Sequence, residues 1–209
     1  MSLSIIIPAY NEEKYIADTL KKLDGYETIV VCNGCTDRTK EEAEKHATKV
    51  IELKDKGVSA ARNVGARAAS FERLVFLDAD MHVDNKVLGL ISTSRFNIGT
   101  CKVKPNSKKV IDKVVMWGKS QVHRLGTCTG LIFCDENIFE KASGFEENLS
   151  IKEDGRFLRR AIKLGRFGIV NGYVYNNMRR FNEIGYLNIA WFWVKAYMKN
   201  EMKEYKAIR

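Results

Sequence analysis

The chain has 209 residues, 45% of them hydrophobic, so it can bury a full core as one domain or as two tightly fused halves. Its 35 lysines and arginines exceed its 26 aspartates and glutamates, which gives a formal net charge of +9. This composition excludes an intrinsically disordered chain and favours anionic partners, namely nucleic acid, phosphorylated small molecules or an acidic membrane surface.

Short apolar runs alternate with stretches of helical spacing along the first half of the chain. The runs have the composition of strands that are buried on both faces. The predicted strands are 4–7, 29–32, 49–53 and 74–77, and the predicted helices are 12–23, 36–46 and 58–70. Strands that alternate with helices predict an α/β fold with a mostly parallel sheet covered on both sides.

Capping residues support two of these helix starts. Asn11 precedes Glu12 and Glu13 as an N-cap followed by acidic first-turn residues, and Thr36 precedes Asp37 in the same way. We therefore expect Asn11 and Thr36 to be the N-caps of the first and second helices.

The second half of the chain is less regular, and its strands are expected to be mixed in direction. The predicted strands are 98–103 and 129–134, and the predicted helices are 108–124 and 153–164. Asn182 is expected to cap a last helix over 183–206 that is rich in aromatic residues. The pattern indicates neither an internal repeat nor a linker.

Polar clusters follow three of the predicted parallel strands, at 8–12, 33–37 and 78–80. Ligands of an open parallel sheet bind beyond the carboxyl ends of its strands, so the three clusters are expected to meet at one edge. Asp78-Ala79-Asp80 is a D-x-D motif that can hold a divalent metal through one or both carboxylates and leave positions for diphosphate oxygens. Read by itself, the motif fits a solvated turn equally well.

A basic, glycine-bearing loop at 54–57 leads into the third predicted helix. Free backbone N–H groups and the helix dipole suit an anion at such a helix start. Arg62 follows within about two turns and could bind a phosphate through two hydrogen bonds. Arg179 and Arg180 are further candidates for contact with a diphosphate or an anionic acceptor.

Cys32 and Cys35 form a C-x-x-C motif between a strand and a predicted helix, a setting that lowers a thiol pKa. The motif makes a thiol-disulfide oxidoreductase one alternative function. Its resemblance to thioredoxins is confined to this motif, and a structural zinc site would need a second Cys or His pair nearby.

A nucleic-acid binding module is the second alternative, prompted by the net charge. The sequence contains no zinc-finger spacing, no aromatic RNP-like strand and no clear helix-turn-helix pattern, so we expect no nucleic-acid partner. A sugar nucleotidyltransferase would carry a glycine-rich first loop, which residues 8–11 do not form. Five cysteines, no signal-peptide pattern and no apolar run of about 20 residues lead us to expect a cytoplasmic setting.

The last predicted helix combines an apolar stripe with a basic column. The stripe comprises Leu187, Ala190, Trp191, Val194 and Met198, and the column comprises Lys195, Lys199 and Lys203. This composition is typical of a helix that lies in a bilayer interface, so we expect peripheral contact with the cytoplasmic face of a membrane. The alternative is that the stripe packs on the rest of the chain or on a second subunit.

Seven segments, in order, closely resemble the family 2 glycosyltransferases of the GT-A fold. In the first half they are IIIPAYNEE (5–13), VVCNGCTDRT (30–39), GVSAARNVGARAA (57–69) and LVFLDAD (74–80). In the second half they are TGLIFCDENIFEKASGFEE (129–147), EDGRFLRRAIKLG (153–165) and RRF (179–181). Each motif is weak alone, but their order and spacing cover nearly the whole chain.

The resemblance implies a GT-A three-layer α/β/α sandwich at 1–181 and a C-terminal amphipathic helix at 182–209. Residues 1–100 would form the nucleotide-sugar donor half, and 101–181 the half that holds the acceptor and the catalytic base. The implied activity is transfer of a sugar from a UDP or GDP type donor to a hydroxyl acceptor, with inversion. A lipid-linked molecule or a polysaccharide would be the acceptor, and Mg²⁺ or Mn²⁺ the cofactor.

The resemblance also implies roles for individual residues. Asp154 would be the general base, with Glu153 as the alternative within the pair. Asp80, with Asp78, would hold the metal on the diphosphate. The remaining donor-site residues would be Pro8, Ala9, Tyr10, Glu12, Asn33, Arg62, Ala79, Arg179 and Arg180.

Two positions depart from the family pattern. Asn33 stands where relatives usually have an aspartate that reads the base, and a neutral amide does not fix which base is bound. Many relatives also have a metal-binding histidine after the last strand of the domain, whereas 175–180 contains none. We therefore expect the metal to be held weakly.

Overall fold

The computed structural model describes residues 3–123, 128–149 and 152–198, within which eight strands form one sheet between helices. The strands are β1 (Ser4–Ala9), β2 (Glu27–Asn33), β3 (Lys49–Leu53), β4 (Arg73–Leu77), β5 (His82–Val83), β6 (Ile98–Pro105), β7 (Leu131–Asp135) and β8 (Phe167–Asn176). The helices are α1 (Ile16–Lys21), α2 (Thr39–Glu44), α3 (Val58–Arg67), α4 (Asn85–Ser92), α5 (Val110–Val122), α6 (Glu136–Lys141), α7 (Glu153–Ala161), α8 (Arg179–Ile184) and α9 (Tyr186–Met198).

The strand order in the sheet is β3-β2-β1-β4-β7-β6-β8-β5. β1 pairs in parallel with β2 and β4, and β2 pairs in parallel with β3. β7 is antiparallel to both β4 and β6, β6 and β8 are parallel, and β5 is antiparallel to β8. The predicted mostly parallel sheet is confirmed, as is the mixture of strand directions in the second half.

Helices cover both faces of this sheet. Successive residues of a strand point to opposite faces, so Ile5 packs into one apolar cluster and Ile6 into another. The Ile5 cluster includes Leu20 from α1 and Leu88 from α4, whereas the Ile6 cluster includes Phe157 from α7. This arrangement confirms the predicted three-layer α/β/α sandwich.

The helix starts after β1 and β2 differ from the prediction. Asn11 has a φ of +55°, and its Oδ1 accepts from the Thr36 N–H at 2.8 Å. The two residues tie neighbouring loops together instead of capping helices, because α1 begins only at Ile16 and α2 at Thr39. The N-cap position of α2 is Arg38, and Asp37 Oδ1 accepts from the Thr39 N–H at 3.0 Å in the turn before the helix.

The start of the predicted last helix is also wrong. Asn182 lies inside α8, and Gly185 separates α8 from α9 with a φ of +86° and a ψ of 149°. Glycine tolerates this backbone conformation because it lacks a Cβ. The C-terminal part of the predicted helix, 199–206, lies outside the described residues.

The pattern of apolar residues did not predict β8, although β8 is a long strand of the sheet. Gly168, Asn171 and Gly172 interrupt its alternation. The glycines permit close packing, since a Cβ added at Gly99 of β6 would lie 2.2 Å from the Gly168 carbonyl oxygen. None of the described helices combines the length and apolar content needed to cross a bilayer.

Candidate active site

The carboxyl ends of β1, β2 and β4 meet at one edge of the sheet, as the sequence predicts. Asp78 and Asp80 directly follow β4. The Asp78 N–H donates to the Gly130 carbonyl at 3.1 Å, and the Thr19 hydroxyl donates to the Ala79 carbonyl at 2.8 Å. The D-x-D turn is therefore fixed to the residue before β7 and to α1, with Ala79 buried between its two carboxylates.

Arg62, from α3, joins two carboxylates that come from different halves of the chain. One guanidinium nitrogen is 3.1 Å from Asp78 Oδ1 and another is 2.9 Å from Glu153 Oε1. The guanidinium also lies over the Phe145 ring at 5.1 Å, which limits its exposure to water. Burial raises the pKa of Asp78, and the charge of Arg62 opposes that rise.

Arg179, at the start of α8, forms a second ion-pair group. One of its nitrogens is 2.7 Å from Glu12 Oε1 and 3.0 Å from Asp80 Oδ2. Its guanidinium lies 4.5 Å from the Tyr15 ring centre. Burial raises the pKa of Asp80 to about 6, although Arg179 opposes this shift. The predicted metal ligand and the predicted nucleoside contact Glu12 thus share one cation.

Asp154 and Glu153 begin α7 but have different surroundings. Glu153 is held by Arg62, whereas Asp154 Oδ1 accepts from the Gly155 N–H at 2.6 Å. Asp154 Oδ2 faces the Cys128 thiol, whose sulfur lies 3.6 Å away. Burial raises the pKa of Asp154, and the neighbouring Glu153 charge raises it further. Asp154 therefore has a higher proton affinity than an ordinary aspartate.

A cavity of about 20 Å³ brings several of these groups together. That volume accommodates about one water molecule. The residues that line it are Arg62, Phe76, Asp78, Cys128, Gly130, Leu131, Ile132 and Asp154. The predicted base and the first D-x-D carboxylate therefore face the same small space.

The residues expected to contact a nucleoside differ in exposure. Pro8, Ala9 and Asn33 are buried at the strand ends, whereas Tyr10 is partly exposed with the Lys56 ammonium 4.4 Å from its ring centre. The Asn33 amide donates to the Ala9 carbonyl at 2.7 Å, and its oxygen accepts from the Gly57 N–H at 3.1 Å. Asn33 thus connects β1, β2 and the start of α3.

The C-x-x-C motif lies in the same region, with Cys32 buried and Cys35 half-buried as free thiols. A hydrogen bond with Cys32 lowers the pKa of Cys35 to about 7. The predicted helix start at this motif is wrong, since α2 begins at Thr39. Cys35 therefore lacks the helix N-terminus that activates the thiol of a dithiol oxidoreductase.

Lys119, on α5, was not predicted to belong to the site. Burial lowers its pKa to about 8, the charge of Arg180 lowers it further, and the charges of Asp154 and Asp78 oppose the shift. Arg180 in turn opposes the rise in the Asp78 pKa, so it acts on the same carboxylate. Nothing in the sequence distinguishes Lys119 from a solvated lysine, because only the packing of α5 brings it to the site.

The donor set for a metal is limited to carboxylate oxygens. Within residues 3–123, 128–149 and 152–198, no three His, Cys, Asp or Glu side chains converge as a metal cluster. Asp78 and Asp80 supply hard oxygen ligands, which suit Mg²⁺ or Mn²⁺ when substrate phosphates complete the coordination. The two carboxylates fit a metal that is bound together with a diphosphate.

Comparisons with known proteins agree with this geometry. Residues 4–93 match the model of glycosyl transferase family 2. The chain is 32% identical over 101 residues to poly(ribitol-phosphate) β-N-acetylglucosaminyltransferase TarS of Staphylococcus aureus, an alignment that covers 42% of this chain and 18% of TarS. It is 35% identical over 99 residues to dolichol-phosphate mannosyltransferase of Pyrococcus furiosus, covering 42% of this chain and 28% of that protein.

Solved structures extend the similarity to most of the chain. S. aureus TarS 1–349 in complex with UDP-GlcNAc superposes with a TM-score of 0.69 at 22% identity, covering 86% of this chain and 59% of that one. Mannosyltransferase PcManGT from Pyrobaculum calidifontis, in complex with GDP-Man and Mn²⁺, gives 0.64 at 19% identity, covering 82% and 56%. The chain thus spans less than two thirds of the length of each of these proteins. Residues 4–93 are thus similar to glycosyl transferase family 2, and the solved structures show that the fold is shared over most of the chain.

Proposed function

We propose that the chain transfers a sugar from a nucleotide diphosphate donor to a hydroxyl acceptor, with inversion at the anomeric carbon. The observation that carries the proposal is the convergence of Asp78, Asp80, Arg62, Asp154 and Arg179 at one sheet edge. Solved relatives hold UDP, UDP-GlcNAc or GDP-Man, which supports a UDP or GDP type donor.

The arginines supply positive charge for the diphosphate. Arg62 and Arg179 are paired with carboxylates and largely buried, so their guanidinium groups are already oriented before a ligand arrives. Arg180 adds a third positive charge on the Asp78 side. As the glycosidic bond to the diphosphate breaks, these cations stabilise the charge on the leaving group.

Asp80, assisted by Asp78, would hold Mg²⁺ or Mn²⁺ against the donor phosphates. The metal would supply Lewis-acid stabilisation of the leaving diphosphate. Asp80 shares Arg179 with Glu12, so metal binding at Asp80 competes with an existing ion pair. This competition supports the expectation that the metal is weakly held. The Mn²⁺ in relatives that contain GDP-Man or UDP is consistent with the assignment.

Asp154 is the proposed general base. Its Oδ1 is engaged by the Gly155 N–H, and its Oδ2 accepts from the Cys128 thiol, a weak donor that the acceptor hydroxyl would displace to pass its proton to Oδ2. The acceptor oxygen then forms a bond to the anomeric carbon while the bond to the diphosphate breaks and its electron pair leaves with the diphosphate. Glu153 is less suited to this role, because Arg62 holds its Oε1 at 2.9 Å.

We further propose that α9 contacts a membrane surface on which a lipid-linked acceptor lies. Ile189 is buried against the rest of the chain, whereas Leu187, Ala190 and Trp191 are exposed. The described part of the predicted apolar stripe is therefore on the outside of the molecule. The rest of the predicted stripe and the basic column is not described: the structure gives no side chain for Val194, Lys195 or Met198, and residues 199–209 lie outside the described residues.

A thermal-shift screen tests the donor proposal. UDP, GDP, dTDP and CMP sugars are added with and without Mn²⁺, because a ligand at 100 times its dissociation constant stabilises the fold by about 2.7 kcal/mol. We expect the melting temperature to rise with a UDP or GDP sugar, and to rise more when Mn²⁺ is present. A chain that no nucleotide sugar stabilises in either condition contradicts the proposal.

A further inference from the structure

Helix α5 presents its apolar side to solvent. Val110 is 74% exposed, Ile111 49%, Val114 56% and Trp117 67%. Residues 110, 114 and 117 recur at spacings of four and three and therefore lie on one side of the helix, with Ile111 beside them. Soluble proteins seldom expose several large apolar side chains together unless the patch is an interaction site.

The buried side of α5 combines Met116, which packs in the core, with polar groups that fix the orientation of the helix. Asp112 is fully buried and accepts from the Tyr186 hydroxyl. The Ser120 hydroxyl donates to the Val103 carbonyl at 3.1 Å and accepts from the Val103 N–H at 3.0 Å. A His123 ring nitrogen lies 3.1 Å from the Cys101 carbonyl oxygen. Rotating the helix to bury its apolar side would break these contacts, so the exposure is built into the fold.

The exposed side of α5 lies close to the exposed part of α9. The Tyr186–Asp112 hydrogen bond joins the start of α9 to α5, and the Lys109 ammonium donates to Asn182 Oδ1 on α8 at 2.9 Å. Leu187, one residue beyond Tyr186, is 86% exposed. We call the set of Val110, Ile111, Val114, Trp117 and Leu187 the α5–α9 surface.

Charge identifies the partner that this surface fits. Exposed Lys108, Lys109 and Lys113 lie on α5 or in the turn before it. Asp112 is the one acidic residue between positions 98 and 123, and it is buried. Two copies of the chain that met through this surface would bring like charges together, which disfavours a symmetric dimer. An apolar stripe flanked by lysines matches an anionic bilayer interface instead.

We propose that the α5–α9 surface docks on an anionic membrane, with α5 lying in the interface plane. This assignment goes beyond membrane contact through α9 alone, and docking does not depend on catalytic activity. One consequence rests on the proposed function. Lys119 is on the inward side of α5, and the charge of Asp154 acts on its pKa, so docking would hold the proposed active site on the membrane-facing side of the molecule. A lipid-linked acceptor would then lie near the site.

Vesicle flotation of the full chain tests the docking. We expect the chain to float with phosphatidylcholine vesicles that contain phosphatidylglycerol at low salt, and to float poorly with pure phosphatidylcholine. The double variant Val114→Gln, Trp117→Gln should lower partitioning by about tenfold or more, because it removes apolar area from the interface. The double variant Lys108→Gln, Lys113→Gln should reduce the preference for anionic lipid. Leu164→Gln is the matched control, since Leu164 is also exposed but lies beyond the end of α7.

Three results would overturn the proposal. The first is an unmodified chain that fails to float with anionic vesicles, and the second is a Val114→Gln, Trp117→Gln variant that floats as well as the Leu164→Gln control. A lipid-free dimer in size-exclusion chromatography with light scattering that the same variant dissociates would assign the surface to a second copy. Each variant should keep the melting temperature of the unmodified chain and its nucleotide-induced shift, which shows that the fold and the donor site are intact. A failure of docking is then distinguishable from a failure of the proposed function.

Discussion

Asp154 and Glu153 are adjacent carboxylates whose partners divide their roles. Glu153 completes an ion pair with Arg62. The pKa of Asp154 is raised by burial and by the neighbouring negative charge of Glu153. A carboxylate with a raised pKa is a stronger base than an exposed one. The assignment of Asp154 as the base therefore rests on electrostatic surroundings as well as on its position in the motif.

Replacing Asp154 with asparagine tests this assignment. We expect Asp154→Asn to retain nucleotide-sugar binding and to lower turnover by about 10²- to 10⁴-fold, since a positioned base contributes that much. Glu153→Gln is the comparison, and it should weaken the Arg62 contact with a smaller loss of turnover. Steady-state kinetics and nucleotide titrations separate the two effects. Turnover that survives in Asp154→Asn but collapses in Glu153→Gln would reverse the assignment.

Asp80 should make metal-dependent donor binding sensitive to acid. A metal binds the deprotonated carboxylate, so protons compete with it. Burial raises the pKa of Asp80 to about 6, and the carboxyl group becomes neutral as the pH falls through that value. We expect the Mn²⁺-dependent part of donor affinity to fall between about pH 7 and pH 5, as measured by calorimetry. Asp80→Ala should abolish the metal dependence, whereas equal donor affinity with and without EDTA in the unmodified chain would contradict it.

Among the elements, β6 and β8 illustrate how close backbone packing depends on glycine. Gly99 lies where an added Cβ would be 2.2 Å from the Gly168 carbonyl oxygen and 2.5 Å from the Phe133 ring. Both contacts come from rigid or tightly packed neighbours, because Phe133 is fully buried. Gly118, on α5, has nothing within 4 Å of its added Cβ.

The two glycines should respond to alanine with opposite signs. Gly99→Ala is expected to destabilise the fold by about 1–3 kcal/mol or more through overpacking. Gly118→Ala should stabilise it by up to about 1 kcal/mol, because alanine has the higher helix propensity. Urea unfolding at matched pH measures both values. Equal stability of the two variants would show that β6 and β8 are less closely packed than described.

At the scale of the whole molecule, ion pairs connect segments that are far apart in the sequence. Arg62 bridges Asp78 in the donor half and Glu153 in the second half, and Arg179 reaches back to Glu12 and Asp80. These cations therefore couple the stability of the assembled site to the packing of both halves. The exposed Lys40–Glu52 pair, by contrast, joins neighbouring elements at the surface.

Arg62→Ala should therefore cost far more stability than Lys40→Ala. Removing Arg62 leaves the largely buried Glu153 without its cation, and breaking a buried pair costs up to about 3–5 kcal/mol. An exposed pair such as Lys40–Glu52 contributes about 0–1 kcal/mol. Denaturant unfolding of the two variants gives the comparison, with a nucleotide titration to follow the donor site. Similar small losses in both would mean that Arg62 serves ligand binding without supporting the fold.

The sequence by itself determined the parallel donor half, the sheet edge that carries the polar clusters, and the family resemblance. These features are encoded locally, because apolar runs, glycine-bearing loops and strand-end carboxylates are each contiguous in the chain. β8 escaped prediction because glycine and asparagine interrupt its alternation, and the first two helix starts were misplaced because Asn11 and Thr36 bind each other. Those contacts join separate segments, so the local pattern does not reveal them.

Only the tertiary structure decided which cation each carboxylate meets and which side of α5 faces outward. Glu12 and Arg179 are distant in sequence, and their ion pair exists because α8 follows β8 back to the edge where β1 ends. The apolar residues of α5 would ordinarily predict a buried side, yet its contacts with Tyr186, Val103 and Cys101 turn that side to solvent. Periodicity specifies the sides of a helix, whereas packing against its neighbours selects which side is buried.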